Sequence, residues 1–190
     1  MKVKIKVKYI WIFLGLVLGA FLLYQIFNFV KPVDTIFIKG AAFSFRDDVR
    51  KALKVETFPN EGLFNELFMD YKTKNVTILF KPGNPKTNAI YQLETFEIVY
   101  KLTRYDELTK NMFRSKKVFD AQEIETYENI TREEGVLKII LVPPEFSNQT
   151  RVTAGGNKIW IYGKTEKEFD LAVMKAILNV MNVTTLEGFV

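Results

Sequence analysis

Four asparagines stand in the N-x-T spacing that oligosaccharyltransferases modify, with no proline between the two positions. They are Asn75, Asn129, Asn148 and Asn182. The chain has 12 Asn and 18 Ser plus Thr residues, so chance alone predicts about one such sequon. Coincidence in a threonine-rich chain is the alternative, and we interpret the excess as real glycosylation. Sequons in a chain without cysteine favour a domain on the outside of an archaeal cell.

Carboxylates concentrate in residues 120–134, where they could serve metal binding or acid–base chemistry. They are Asp120, Glu123, Glu125, Glu128, Glu133 and Glu134. Calcium sites of the EF-hand type carry a D-x-D-x-D-G loop, which the segment lacks. Two carboxylates could serve a glycosidase, but the spacing does not pair them. We therefore interpret the segment as a solvated acidic loop and assign it no metal, no cofactor and no catalytic residue.

The loop at residues 81–88 reads KPGNPKTN and stands between a predicted strand and a predicted helix. Free N–H groups at a helix N-terminus bind anions, and the candidate ligands here are Lys81, Lys86, Thr87 and Asn88. A P-loop is excluded because its second glycine and its spacing are missing. A plain turn that ends in an Asn or Thr cap is the favoured alternative.

Trp160 and Tyr162 alternate with isoleucines in a predicted strand and therefore share one face of it. An exposed aromatic pair of this kind could stack on a sugar ring of a ligand. If both faces of the sheet are covered, the same pair belongs to the core, and this second interpretation is favoured.

The chain contains no cysteine and no histidine. This excludes thiol nucleophiles, histidine-containing triads and zinc sites built from Cys or His. Its serines lie outside any G-x-S-x-G motif. The formal charge is +5, but four of the 27 basic residues are the lysines of residues 1–8, and the other 23 nearly balance 22 acidic residues. No nucleic-acid partner is expected of so neutral a domain, and an enzyme is less favoured than a non-catalytic protein.

Apolar runs and turn residues predict the elements that position these groups. Strands are expected at residues 33–38, 76–80, 118–119 and 136–142, with a hairpin at 151–153 and 158–162. Helices are expected from a cap at Ser44 to residue 54, at 63–71, and from a capping box at Thr165 and Glu168 to residue 181. A long helix is expected at 88–112, because the apolar residues Ile90, Leu93, Phe96 and Tyr100 recur at helical spacing. Helices that alternate with strands indicate an α/β (or α+β) domain, a mixed sheet with helices packed on it, over residues 31–190.

Residues 9–30 form a run of 22 uncharged residues, which as a helix of about 33 Å would cross a bilayer. The lysines of residues 1–8 place that tail in the cytoplasm and the domain outside. A cleaved signal peptide is the alternative, which the long apolar run and the poor cleavage site at Ala20 disfavour. Gly15 and Gly19 form a G-x-x-x-G face, which is either ordinary for a membrane helix or the seam of a homodimer.

Together these patterns predict a single-pass membrane protein that acts as a non-catalytic interaction or accessory subunit of the cell envelope. Its expected partners are the lipid bilayer and another membrane or surface protein. The alternatives are a glycan- or cation-binding module and, less favoured, a carboxylate-based hydrolase of envelope polymers. An exposed apolar patch would support the first class, and a deep pocket with convergent carboxylates would support the other two.

Overall fold

The computed structural model of the protein describes residues 34–110 and 115–185. Their strands, in chain order, are β1 (Asp34–Ile38), β2 (Ala41–Phe45), β3 (Glu56–Phe58), β4 (Asn75–Phe80), β5 (Val118–Glu123), β6 (Val136–Val142), β7 (Arg151–Gly155) and β8 (Lys158–Tyr162). The helices are α1 (Val49–Ala52), α2 (Gly62–Met69), α3 (Pro85–Thr109) and α4 (Glu166–Val180). This order confirms the predicted mixed α/β class.

Six strands form the main sheet, in the order β3-β7-β8-β6-β4-β5. Strands β7 and β8 pair antiparallel as the predicted hairpin, and all other neighbours in this sheet pair parallel. The central strand β6 reads VLKIILV, and a nearly continuous apolar run is typical of a strand covered on both faces. The mixed sheet predicted from the sequence is therefore confirmed.

The helices pack on one face of this sheet, where alternate side chains of β4, β6 and β8 enter the main core. Ile78, Ile139 and Ile161 from these three strands are buried there, together with Phe169 and Ile177 of α4. The opposite face carries a smaller apolar cluster that loop side chains partly cover. Two clusters form because successive side chains of a strand leave the sheet on opposite faces.

Strands β1 and β2 form a separate antiparallel hairpin. Its turn residues, Lys39 and Gly40, have φ of 50° and 78°, which is the left-handed pair that a two-residue hairpin turn requires. Phe43 and Phe45 lie on the inner face of β2 and are buried in the main core. The hairpin thus packs against the helical layer, where the rings of Phe43 and Phe45 lie beside Arg104 and Lys101 of α3.

The predicted helix cap at Ser44 is wrong. Ser44 lies in β2, because the aromatic residues on either side of it alternate into the core as strand residues do. Helix α1 begins at Val49, and its cap is Asp48, whose side chain accepts a hydrogen bond from the N–H of Arg50.

Helix α3 begins three residues before its predicted start. The reason is Asn84, whose side chain caps the helix by accepting 3.0 Å hydrogen bonds from the N–H groups of Lys86 and Thr87. Pro85 lies in the first turn, where no hydrogen bond within the helix needs its missing N–H. Thr165 caps α4 as predicted.

Besides β2, which was not predicted, two more strands differ clearly from prediction because their pairing partners, more than their own residues, define them. Strand β3 was not predicted, and it pairs with β7. Strand β5 extends four residues beyond the predicted 118–119, because it continues along β4.

Within residues 34–110 and 115–185, no helix combines the length and the apolar character needed to cross a bilayer. The predicted tail at 1–8, the predicted membrane span at 9–30 and its Gly15 and Gly19 lie outside the described residues.

Candidate functional site

Helix α3 has an outer face that exposes large apolar side chains. Leu93, Phe96 and Tyr100, called the outer stripe below, are 49%, 66% and 52% exposed. Their spacing of three and four residues places them in one row along the helix. The rings of Phe96 and Tyr100 stack with centroids 6.0 Å apart and planes within 9°. The row is therefore ordered on the surface without being covered by the rest of the described chain.

A shallow groove of about 470 Å³ continues the outer stripe towards the C-terminal end of α3. Its lining residues are Phe96, Val99, Tyr100, Thr103, Arg104 and Glu107. The Arg104 guanidinium also lies 5.4 Å from the centre of the Phe43 ring, so the groove adjoins the β1–β2 hairpin. An open apolar groove with charged residues at one end resembles a contact surface more than an enclosed small-molecule pocket.

The inner face of α3 buries charged residues against the hairpin and α4. Glu94 accepts a 2.7 Å hydrogen bond from Arg46, which also donates to Asp170 at 3.0 Å. Lys101 pairs with Glu97 one turn earlier on the helix. The Lys101 ammonium lies 4.5 Å from the centre of the Phe45 ring of β2. These contacts join α3, α4 and the hairpin.

Burial perturbs the charged groups of this cluster. It raises the pKa of Glu94 to about 7; the neighbouring Asp170 adds to the rise, and Arg46 opposes it. Burial likewise raises the pKa of Asp170 and lowers the pKa of Lys101. Perturbed groups often mark active sites. Here each of them has a partner of opposite charge inside the protein, which is the arrangement of a structural ion network.

The four predicted glycosylation asparagines all lie exposed. Asn75 is the first residue of β4, and Asn148 lies in the loop after β6. Asn129 and Asn182 lie in turns with φ of 61° and 59°. None of the four belongs to α3 or to the β1–β2 hairpin. Their exposure is what a transferase needs, and their occupancy stays a prediction.

The predicted anion-binding loop surrounds a carboxylate from elsewhere in the chain. Glu145 accepts hydrogen bonds from the Thr87 hydroxyl at 2.7 Å and from the N–H of Asn84 at 3.1 Å. The Thr87 hydrogen bond and then that of Asn84 lower the pKa of Glu145. Asn88 accepts from the N–H of Gly83 at 2.9 Å. The N-terminus of α3 thus holds an internal anion.

The two lysines of the same loop are also engaged within the protein. Lys86 forms an ion pair with Glu166 at the start of α4. The Lys81 ammonium lies 5.0 Å from the centre of the Phe146 ring. An external anion would have to compete with these contacts and with Glu145, so we build no site on this loop.

Trp160 and Tyr162 lie on the sheet face opposite the helices and are half-buried. Their rings stack with centroids 6.0 Å apart, and Tyr127 flanks Trp160 at 6.4 Å. The Arg151 guanidinium lies 5.4 Å from the centre of the Tyr162 ring. Neighbouring side chains therefore occupy part of the surface that a sugar would need, and ligand stacking here stays a prediction.

The acidic segment at 120–134 and the rest of the described chain offer no converging set of ligands. Among residues 34–110 and 115–185, no group of three or more His, Cys, Asp or Glu side chains is placed to hold a metal ion.

The outer stripe is the feature that sequence reasoning missed. Its spacing was used to predict a helix, but α3 carries a second apolar row, formed by Tyr91, Ile98, Leu102 and Tyr105, which is the buried one. Two apolar rows on one helix that packs on a single side require one row to face outward. The presence of two apolar rows in the sequence of α3 could therefore have indicated an exposed apolar stripe.

Comparison of the chain with protein-family models, with curated proteins and with solved structures finds no match. Function must therefore be argued from the surface of the protein itself.

Proposed function

We propose that this chain is a membrane-anchored, non-catalytic interaction module of an archaeal cell envelope, and that it docks through the outer stripe of α3. The exposed stacked pair Phe96 and Tyr100 carries the proposal. Contiguous exposed apolar groups on a folded domain commonly mark a site of protein contact. Arg104 and Glu107 at one end of the groove add the polar rim that such interfaces have.

The predicted anchor joins the domain close to this surface. Between residue 30, where the predicted span ends, and Asp34 the chain reaches at most about 14 Å. Asp34 lies in β1 of the hairpin, and the Phe43 ring of β2 lies 5.4 Å from Arg104, which lines the groove beside the outer stripe. The tether therefore supports docking by α3 onto other proteins held at the same membrane surface.

The positions of the sequons are consistent with docking through the outer stripe of α3. Glycans at Asn75, Asn129, Asn148 and Asn182 would be bulky and solvated, and all four sites lie off α3 and off the hairpin. A docking surface has to stay free of such groups. Mass spectrometry of peptides released by protease from intact cells should recover glycan on these asparagines. A domain that protease does not reach in intact cells would contradict the outside location, and four unmodified asparagines would contradict the glycosylation.

A photo-reactive amino acid tests the docking surface directly. We expect p-benzoylphenylalanine in place of Phe96, in the full-length protein in native membranes, to form a defined covalent adduct on irradiation. The control carries the same probe in place of Tyr71, which is 76% exposed but lies outside α3. Adducts at both positions in equal yield, or at neither, would refute docking through the outer stripe.

A further inference from the structure

We infer that the outer stripe binds a second copy of this chain, with the two α3 helices packed antiparallel about a two-fold axis near residue 98. The inference rests on the proposed docking function and names its partner. In such a pair, each residue before position 98 meets the residue equally far beyond it on the other copy. Phe96 then faces Tyr100 of the second copy, and Leu93 faces Thr103 of the second copy.

The pattern of charges selects the antiparallel arrangement. In a parallel pair Arg104 would approach Arg104 of the second copy, and Glu107 would approach its own equivalent, which places like charges together. In the antiparallel pair Arg104 meets Gln92 and Glu107 meets Ala89, both of which are exposed. The aromatic residues lie at the centre, and the charged residues lie at the ends.

Within residues 85–110, the one pair of like charges that this arrangement brings together lies at the outer end of the contact. Lys86 would approach Lys110 of the second copy about 18 Å from the axis, at 1.5 Å per helical residue. Lys86 is already paired with Glu166 of its own chain. Its charge is therefore offset before the two copies meet.

The size of the stripe explains why the anchor matters to this contact. Three exposed apolar side chains bury less surface than a standard interface that is stable in solution. Two copies held in one bilayer by the predicted span have a much higher effective concentration. Because the predicted anchor would precede Asp34 in the hairpin, whose Phe43 lies beside Arg104 of the groove, an axis near residue 98 would also bring the two predicted anchors together. Contact between two predicted spans through the G-x-x-x-G face of Gly15 and Gly19 would also favour association of the two copies.

Single cysteines can report this geometry because the chain contains no cysteine of its own. We would co-express full-length Leu93→Cys and Thr103→Cys variants with different tags and oxidise native membranes. In the antiparallel pair, Leu93→Cys faces Thr103→Cys, whereas two copies of either variant hold their thiols about 15 Å apart along the helix. The expected product is the mixed disulfide, in at least about tenfold excess over either homodimer, since disulfides need Cβ atoms about 4 Å apart.

Adding Phe96→Lys to both variants should lower the yield of the mixed disulfide about tenfold, because it buries a charge at the centre of the contact. The control for random collision is Tyr71→Cys, which should remain unlinked. Homodimeric disulfides at position 93 would overturn the antiparallel arrangement. No disulfide, with a photo-adduct of Phe96 to a different protein, would refute the second copy and leave the docking surface standing. Neither disulfide nor adduct would refute both.

Discussion

The two faces of α3 depart from ordinary amphipathic order, because the inner face buries charged groups beside its apolar row and the outer face exposes aromatic rings. On the inner face Glu94 and Lys101 are each 2% exposed, whereas on the outer face Phe96 is 66% exposed. The buried ions are tolerated because each has a paired countercharge. No comparable compensation exists for the outer aromatic rings within the described chain. The difference teaches that the charges of the inner face are paired within the protein, whereas the aromatic rings of the outer face stay exposed in the described chain.

The ion pairs of the inner face also fix the position of α3, and with it the position of the outer stripe. Arg46 follows directly after the hairpin and bonds to Glu94 of α3 and Asp170 of α4. The hairpin begins at Asp34, where the predicted anchor enters the domain. The ion network thus holds the end of the hairpin in a defined relation to the helix that carries the outer stripe.

The largest expected effect is on the free energy of unfolding, when a leucine is replaced by alanine on one face of α3 or on the other. Leu102→Ala on the inner face, where the side chain is 1% exposed, should lower the free energy of unfolding by about 2–5 kcal/mol through the cavity it leaves. Leu93→Ala on the outer face should change it by less than about 0.5 kcal/mol. Denaturant unfolding of the full-length protein in detergent measures both, at a concentration low enough to keep copies apart. Equal losses for the two variants would mean that the outer stripe is covered.

Sequence reasoning succeeded where local signals decide the structure. The apolar run at 136–142 became β6 with the predicted ends, and Thr165 caps α4 through the N–H of Glu168. Both features depend on residues within a few positions of one another. Ser44 was misassigned because the choice between a helix cap and a strand is made by the burial of Phe43 and Phe45 against distant helices.

The candidate site also depends on residues that are distant in the chain, which a single sequence does not reveal. The spacing of Leu93, Phe96 and Tyr100 correctly indicated a helix. The buried face, however, includes Glu94, whose partner Arg46 lies 48 residues earlier in the chain. Likewise the carboxylate at the N-terminus of α3 comes from Glu145, which is 58 residues from Thr87. Long-range partners of this kind leave no periodic trace in a single sequence.

The charged groups of the inner face should also make the free energy of unfolding depend on pH, which is a smaller effect. Burial raises the pKa of Glu94 to about 7, against about 4.3 for an exposed glutamate in the unfolded chain. Between these values the folded protein keeps a proton that the unfolded chain releases, so this contribution to stability is full below pH 4.3 and disappears as the pH rises through 7. The raised pKa of Asp170 acts in the same direction.

We therefore expect the free energy of unfolding to fall by on the order of 1–3 kcal/mol between pH 4.5 and 8 on account of this cluster. Glu94→Gln should flatten that dependence, because its amide takes up no proton. Glu107→Gln, on the exposed side of α3 where the carboxylate pairs with Lys116, should leave the slope as in the unmodified protein. Unfolding midpoints at several pH values, taken for all three proteins, measure the difference. A slope in Glu94→Gln as steep as in the unmodified protein would show that Glu94 does not produce the dependence, and that another group with a raised pKa, such as Asp170, does.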